Sequence, residues 1–123
     1  MRRIDANIVL RYLLDDHPEL SPRAAEIIDS QMVVVSTEVL CEVVYVLAGV
    51  YEVPREEIRD TLQRFSRHPT TNMLEHRVIC YALEAYAEKT IDFVDALLLA
   101  HHELHDDPIE TFDRKLKKLL SRG

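Results

Sequence analysis

Glycine is almost missing from this chain, with two in 123 residues, Gly49 and Gly123. Hairpins and meanders draw on glycine for their tight turns, so an all-β sandwich or barrel is excluded and helices should dominate. Cysteine is as scarce. Cys41 and Cys80 are too few and too isolated for a disulfide framework or a zinc site, and read as two small apolar side chains in a reduced protein. Long apolar runs are absent too: the longest, Val43–Tyr51, falls well short of the ~20 residues that span a bilayer. No leader is expected, because Asp5 and Arg11 interrupt any apolar core at the N-terminus. Positive charge is in deficit, 15 Lys and Arg against 22 Asp and Glu, for a net charge of −7. That balance argues against a general nucleic-acid binder, unless some of the acids are neutralised by metal. The expectation is a cytoplasmic protein with no membrane segment.

What is present is enough apolar residue for a core, 47% hydrophobic with 30% charged, in one domain over residues 1–123. Met32-Val-Val-Val35 is the clearest strand, apolar on consecutive residues and so covered on both faces, as in a parallel sheet. Ile109–Phe112 also reads as a strand, Thr71–Leu74 is a weak strand candidate, and Met1–Ile4 is a very short candidate that composition alone does not assign. Between them lie helical spacings. One runs from Asn7 to Leu14. The next starts at Ser21-Pro22, a side-chain cap followed by proline. Ser36-Thr37 caps a third, Glu38 to Val50, and Pro54 opens a fourth, to Arg67. Helices from His76 to Glu88, from Ile91 to His105 and over Arg114–Leu120 complete the chain. Strands alternating with helices give an α/β domain with a parallel sheet and helices on both faces.

The stretch Ile91–His102 is apolar on nearly every side from Phe93 onward, yet it carries Asp92 and Asp95 at its start. A helix apolar all round belongs inside, and a buried carboxylate must be paired, metal-bound or capping something. Other acids stand where an α/β sheet binds ligands, outside the carboxyl ends of its strands. Asp5 follows the first strand, Glu42 lies about one turn into the helix after the second, and Asp113 follows Ile109–Phe112. Gathered carboxylates raise one another's pKa and call for a cation, and a wholly oxygen donor set suits Mg²⁺ or Mn²⁺ rather than zinc. Such ions polarise a phosphate and activate water, the chemistry of phosphodiester hydrolysis. No Ser/His/Asp set, glycine-rich phosphate loop or nucleophilic cysteine competes with it.

These residues bring a family resemblance with them. Asp5-Ala-Asn7-Ile-Val-Leu, Ser36-Thr-Glu-Val-Leu-Cys-Glu42, Asp92-Phe-Val-Asp95-Ala-Leu-Leu-Leu-Ala and Thr111-Phe-Asp113-Arg-Lys-Leu occur in order along almost the whole chain. As an ordered set they resemble the PIN domain, most closely the VapC-type toxin ribonucleases of toxin–antitoxin pairs. The resemblance implies a three-layer α/β/α fold around a five-stranded parallel sheet. It implies catalytic and metal-binding roles for Asp5, Glu42, Asp95 and Asp113 with one or two Mg²⁺ or Mn²⁺ ions, supported by Asn7, Asp92 and Thr111. It also implies an RNA substrate, a homodimer and a cognate VapB-like antitoxin. The chain departs from the family in a very short first strand bearing Arg2 and Arg3, and in Ala6, where Thr or Ser is common.

Each residue also has a plainer reading. Asp92 and Asp95 approximate a capping box, and Asp5 and Asp113 sit where helix caps sit. Glu38 is a first-turn acid favoured by the helix dipole, which leaves Glu42 for the site. His101 and His105 have zinc-ligand spacing but read as histidines at a helix C-terminus. Arg114, Lys115, Lys117 and Lys118 either steer RNA or form a solvated face, while Tyr45, Leu47, Tyr51 and Phe65 read as core before groove. Two other functions fit less well: another Mg²⁺-dependent nuclease or phosphatase, and a non-catalytic interaction module on the same scaffold. A phosphatase would want Asp-x-Asp where Asp5-Ala-Asn7 stands, and a module should have lost acids.

Overall fold

The computed structural model describes residues 1–122 and is an α/β fold: a three-stranded parallel sheet and, among the described residues, seven helices. The sheet order follows the chain: β1 (Arg2–Arg3), β2 (Val33–Val35) and β3 (Thr71–Met73), with β2 in the centre. Register pairs Arg3 with Val34 on one side, and Val34 with Asn72 on the other. Val33, Val34 and Val35 are all buried, so both faces of the central strand are covered, as its unbroken apolar run requires.

Two helices separate each strand from the next, α1 (Ala6–Leu14) and α2 (Leu20–Ser30), then α3 (Thr37–Gly49) and α4 (Arg55–Ser66). Asp5 caps α1, its Oδ1 accepting the Ile8 N–H at 3.0 Å, and Ser36 caps α3 through Val39 N–H at 3.4 Å. In α4, Glu56 and Glu57 occupy the first turn, where the dipole favours acids, and Ile58, Leu62 and Phe65 form its buried stripe. α5 (His76–Lys89) follows β3, then α6 (Phe93–His105) and α7 (Arg114–Arg122). α5 packs on α4 and α6; α3 packs on α1, α4 and α6; α7 packs on α6. A T-shaped contact of Tyr86 on Phe93, centroids 6.0 Å apart, locks α5 to α6.

Four expectations are corrected. The sheet has three strands rather than five among the described residues, and Ile109–Phe112 is irregular, with Phe112 99% exposed. A fourth strand needs a free edge to pair with, and a first strand of two residues, Arg2–Arg3, offers little of one. α2 begins at Leu20, so Ser21 and Pro22 lie inside its first turn. The helix start is satisfied instead by His17, whose Nδ1 accepts the N–H groups of Glu19 (3.2 Å) and Leu20 (2.9 Å). Tyr45 and Tyr51 are exposed, whereas Leu47 and Phe65 are core. Cys41 and Cys80 are free and only partly buried. No helix of the described residues is long and apolar enough to cross a membrane.

Leu83 is fully buried on α5, and truncating it to alanine should cost about 2–5 kcal/mol. Phe112→Ala should change stability by no more than about 0.5 kcal/mol. Urea unfolding measures both, and a Phe112 loss comparable to that of Leu83 would mean that Ile109–Phe112 is packed as a strand.

Candidate active site

At the start of α6, Asp92 and Asp113 lie near enough to Asp95 for their charges to act on it. Asp95 lies in its first turn, half-buried, and its pKa is raised above the ordinary 3.8 by burial first, then by the charges of Asp92 and Asp113. Asp113 arrives there because α7 packs on α6, and Lys115 Nζ donates to Thr90 O at 2.8 Å, just before Asp92. Asp92 is the N-cap residue of α6 by backbone position, yet its side chain makes no cap hydrogen bond, so the capping-box reading fails. Its carboxylate is exposed and unspent.

Asp113 does cap a helix: Oδ1 accepts the Leu116 N–H at 2.8 Å, and Thr111 Oγ1 accepts Asp113's own N–H at 3.0 Å. Thr111 therefore supports Asp113 directly. Asp5 uses Oδ1 for the Ile8 N–H and is otherwise exposed. Glu42 is exposed on α3, as is Asn7 on α1. Among the described residues no three of these carboxylates bring oxygens within 4.8 Å of one another. Ile109–Phe112 is not a strand that carries Asp113 to the sheet edge. Without that strand, Asp113 follows α7 to the start of α6.

Beside this acid group lies a cavity of about 660 Å³, walled by α3 residues Val44, Tyr45 and Ala48, and by Asp92, Phe93 and Asp95. Arg55 lines it too, a residue that sequence reasoning missed because it looks like an ordinary first helical residue after Pro54. Its Nη1 donates to Tyr86 O (2.9 Å) and Ile91 O (2.7 Å), and its guanidinium stacks 4.1 Å from the Tyr86 ring centroid. It thus fixes the turn that presents Asp92. Past the acids, a depression of about 290 Å³ is lined by Lys89, Lys115, Lys118 and Arg122 with Glu88 and Leu119. Of the α7 cations, Lys115, Lys118 and Arg122 line this hollow together with Lys89 of α5.

Compared with known families, residues 3–119 match the PIN domain. The chain belongs to the PIN domain family. No curated protein and no solved structure matches it significantly. PIN domains are typically metal-dependent nucleases, and those nucleases generally use a divalent metal. The donor chemistry of this PIN domain fits such an ion. Asp92, Asp95 and Asp113 offer only carboxylate oxygens, the choice of Mg²⁺ or Mn²⁺, and a cation would relieve the repulsion that raises Asp95.

Two outcomes follow from this electrostatic arrangement. A carboxyl whose pKa is higher folded than unfolded carries no penalty below its ordinary 3.8, destabilises the fold increasingly as pH rises from there to the shifted value, and keeps a constant penalty above it. In chelator, Asp95→Asn should therefore be more stable than wild type at neutral pH, and the gap should close as pH falls toward 3.8. Urea midpoints across that range measure it; a gap that widens on acidification would contradict the shift. Arg55→Ala removes two hydrogen bonds and a stacking contact, and should cost about 1–3 kcal/mol in the same assay.

Proposed function

We propose that this PIN domain is a metal-dependent ribonuclease, the toxin of a VapBC-type pair, acting in the cytoplasm as a homodimer silenced by a VapB-like antitoxin. The observation that carries the reading is Asp95: half-buried, in the field of Asp92 and Asp113, within a chain that matches the family over residues 3–119. Asp95 and Asp113 hold one or two Mg²⁺ or Mn²⁺ ions, and Asp5 and Glu42 complete the ligand set that the family resemblance implies. Asn7, Asp92 and Thr111 support them. When bound, the metal supplies Lewis acidity to the phosphate and lowers the pKa of attacking water.

The chain's own residues do the rest. Asp113 spends Oδ1 on Leu116 and Asp5 spends Oδ1 on Ile8, so each keeps Oδ2 as a free donor at a fixed angle. Arg55 has no protein hydrogen bond on Nε or Nη2 among the described residues, which leaves those N–H groups for a phosphate oxygen entering the cavity. Lys89, Lys115, Lys118 and Arg122 offset the overall negative charge locally and guide the RNA backbone toward Asp113. Tyr45, 78% exposed, and Val94, 56% exposed, border the cavity and give the dimer partner or antitoxin an apolar surface. The remaining acidity attracts a basic antitoxin.

The test compares wild type with Asp95→Asn and Asp113→Asn on structured cellular RNAs, with Mg²⁺, with Mn²⁺ and with chelator. Each substitution should lower kcat/KM by about 1,000-fold, roughly 4 kcal/mol, and chelator should abolish cleavage. Glu38→Gln should leave it unchanged. Induced wild-type chain should arrest growth, and Asp95→Asn should not. Cleavage that survives both substitutions and the chelator would refute the mechanism, and preference for DNA would reassign the substrate.

A further inference from the structure

A second group of ligands stands at the other end of α6. His101 and His105 are one turn apart on the same face, ring centroids 5.6 Å apart. The helix ends at Asp106, which adopts the left-handed conformation (φ 57°) and donates its N–H to His102 O at 3.0 Å. That turn sends the chain back over the helix. Asp107 donates its N–H to His101 O at 3.5 Å, and its own carbonyl accepts from His102 Nδ1 at 2.9 Å. The Asp107 carboxylate is thereby held against the two imidazoles. His101, His105 and Asp107 each offer a ligand atom, all within 4.8 Å of one another.

We propose that His101, His105 and Asp107 form a binding site for Zn²⁺, separate from the acidic pocket and independent of the nuclease reading. Two imidazoles and one carboxylate are the donors zinc takes, whereas Mg²⁺ wants oxygen alone. Tetrahedral zinc with bonds of ~2.0 Å holds its ligand atoms ~3.3 Å apart. Closing the site therefore asks for shifts of about 1 Å from side chains at a helix end. His105 and Asp107 are exposed and free to make them.

The surroundings of His101 match those of a metal-bound histidine. Its Nδ1 faces Asp107 Oδ2 at 3.8 Å, and its Nε2 faces Glu75 Oε2 at 3.6 Å. With Nδ1 on the metal, Nε2–H donates to Glu75, the outer carboxylate that orients a ligating imidazole. Glu75 is itself anchored, its Oε1 accepting from Thr37 Oγ1 at 2.9 Å. Thr37 follows β2 and Glu75 follows β3, so the site lies at the carboxyl edge of the sheet, where α/β folds bind ligands. Three protein ligands leave the fourth zinc position to water. The bound ion would fasten the end of α6 to the segment that leads on to Asp113.

The experiment titrates the metal-free full chain with Zn²⁺ against a chromophoric chelator, and records the visible spectrum with Co²⁺. Wild type should bind one ion per chain and give the ligand-field bands of tetrahedral Co²⁺ without a thiolate charge-transfer band. His105→Ala, at an exposed position that should not unfold the chain, should weaken binding by about 100-fold or more. Glu75→Gln should weaken it by about 10–100-fold, and Asp95→Asn should leave it unchanged. Binding that is unaffected by His105→Ala, lost with Asp95→Asn, or marked by thiolate charge transfer from Cys80 or Cys41 would overturn the proposal. So would the absence of any stoichiometric uptake.

Discussion

α6 buries Phe93, Ala96, Leu97, Leu99 and Ala100, and it has almost no polar side of its own. The helices around it, α3, α5 and α7, exist in their present places because that apolar surface must be covered. A helix so enclosed can present charge only at its ends, and both ends are charged. Asp92 and Asp95 stand at the start; His101, His105 and Asp107 stand at the finish. The distribution of polar chemistry in this protein is thus a consequence of one hydrophobic constraint.

At the start of α6 three electrostatic effects oppose one another, and their balance is visible. A first-turn acid gains about 0.3–1 kcal/mol from the helix dipole, which would lower its pKa. Asp95 moves the other way, so burial and the like charges of Asp92 and Asp113 outweigh the dipole. Arg55 lines the same cavity and spends its Nη1 on the carbonyls of Tyr86 and Ile91. No cation is among the causes that shift Asp95. Like charges brought this close are what a bound cation relieves.

How much of this was legible in the residues depended on whether the signal was local. Val33–Val35 announced a central strand by consecutive β-branched residues, and Ile58, Leu62 and Phe65 announced a helix face by spacing alone. Asp95 and Asp113 were singled out by type and position, and the charge of Asp113 is one cause of the upward shift of Asp95. Ile109–Phe112 misled because β-propensity describes how a segment fits a neighbour, and the two-residue β1 offers little edge to receive it. Arg55 was invisible because its value lies in Ile91 O, 36 positions away in sequence. His17 was missed for a different reason. Its ring does the work of a serine cap, a substitution of one acceptor for another that spacing rules do not anticipate.

The two ends of α6 also differ in kind, and the difference keeps them from competing. From Asp95 to His101 is six residues, about 9 Å of helical rise, too far for one ion to bridge. The first end offers only carboxylates, hard donors that a strongly hydrated ion prefers. The second offers two imidazoles, which hold a borderline ion more tightly than oxygen alone does. One helix can therefore sort two cations by donor chemistry, without any element that moves. The segment between Asp107 and Asp113 joins the two ends, so whatever fixes Asp107 shortens the free chain that carries Asp113. An ion at the histidines would act on the acids by restricting that tether, not by contact.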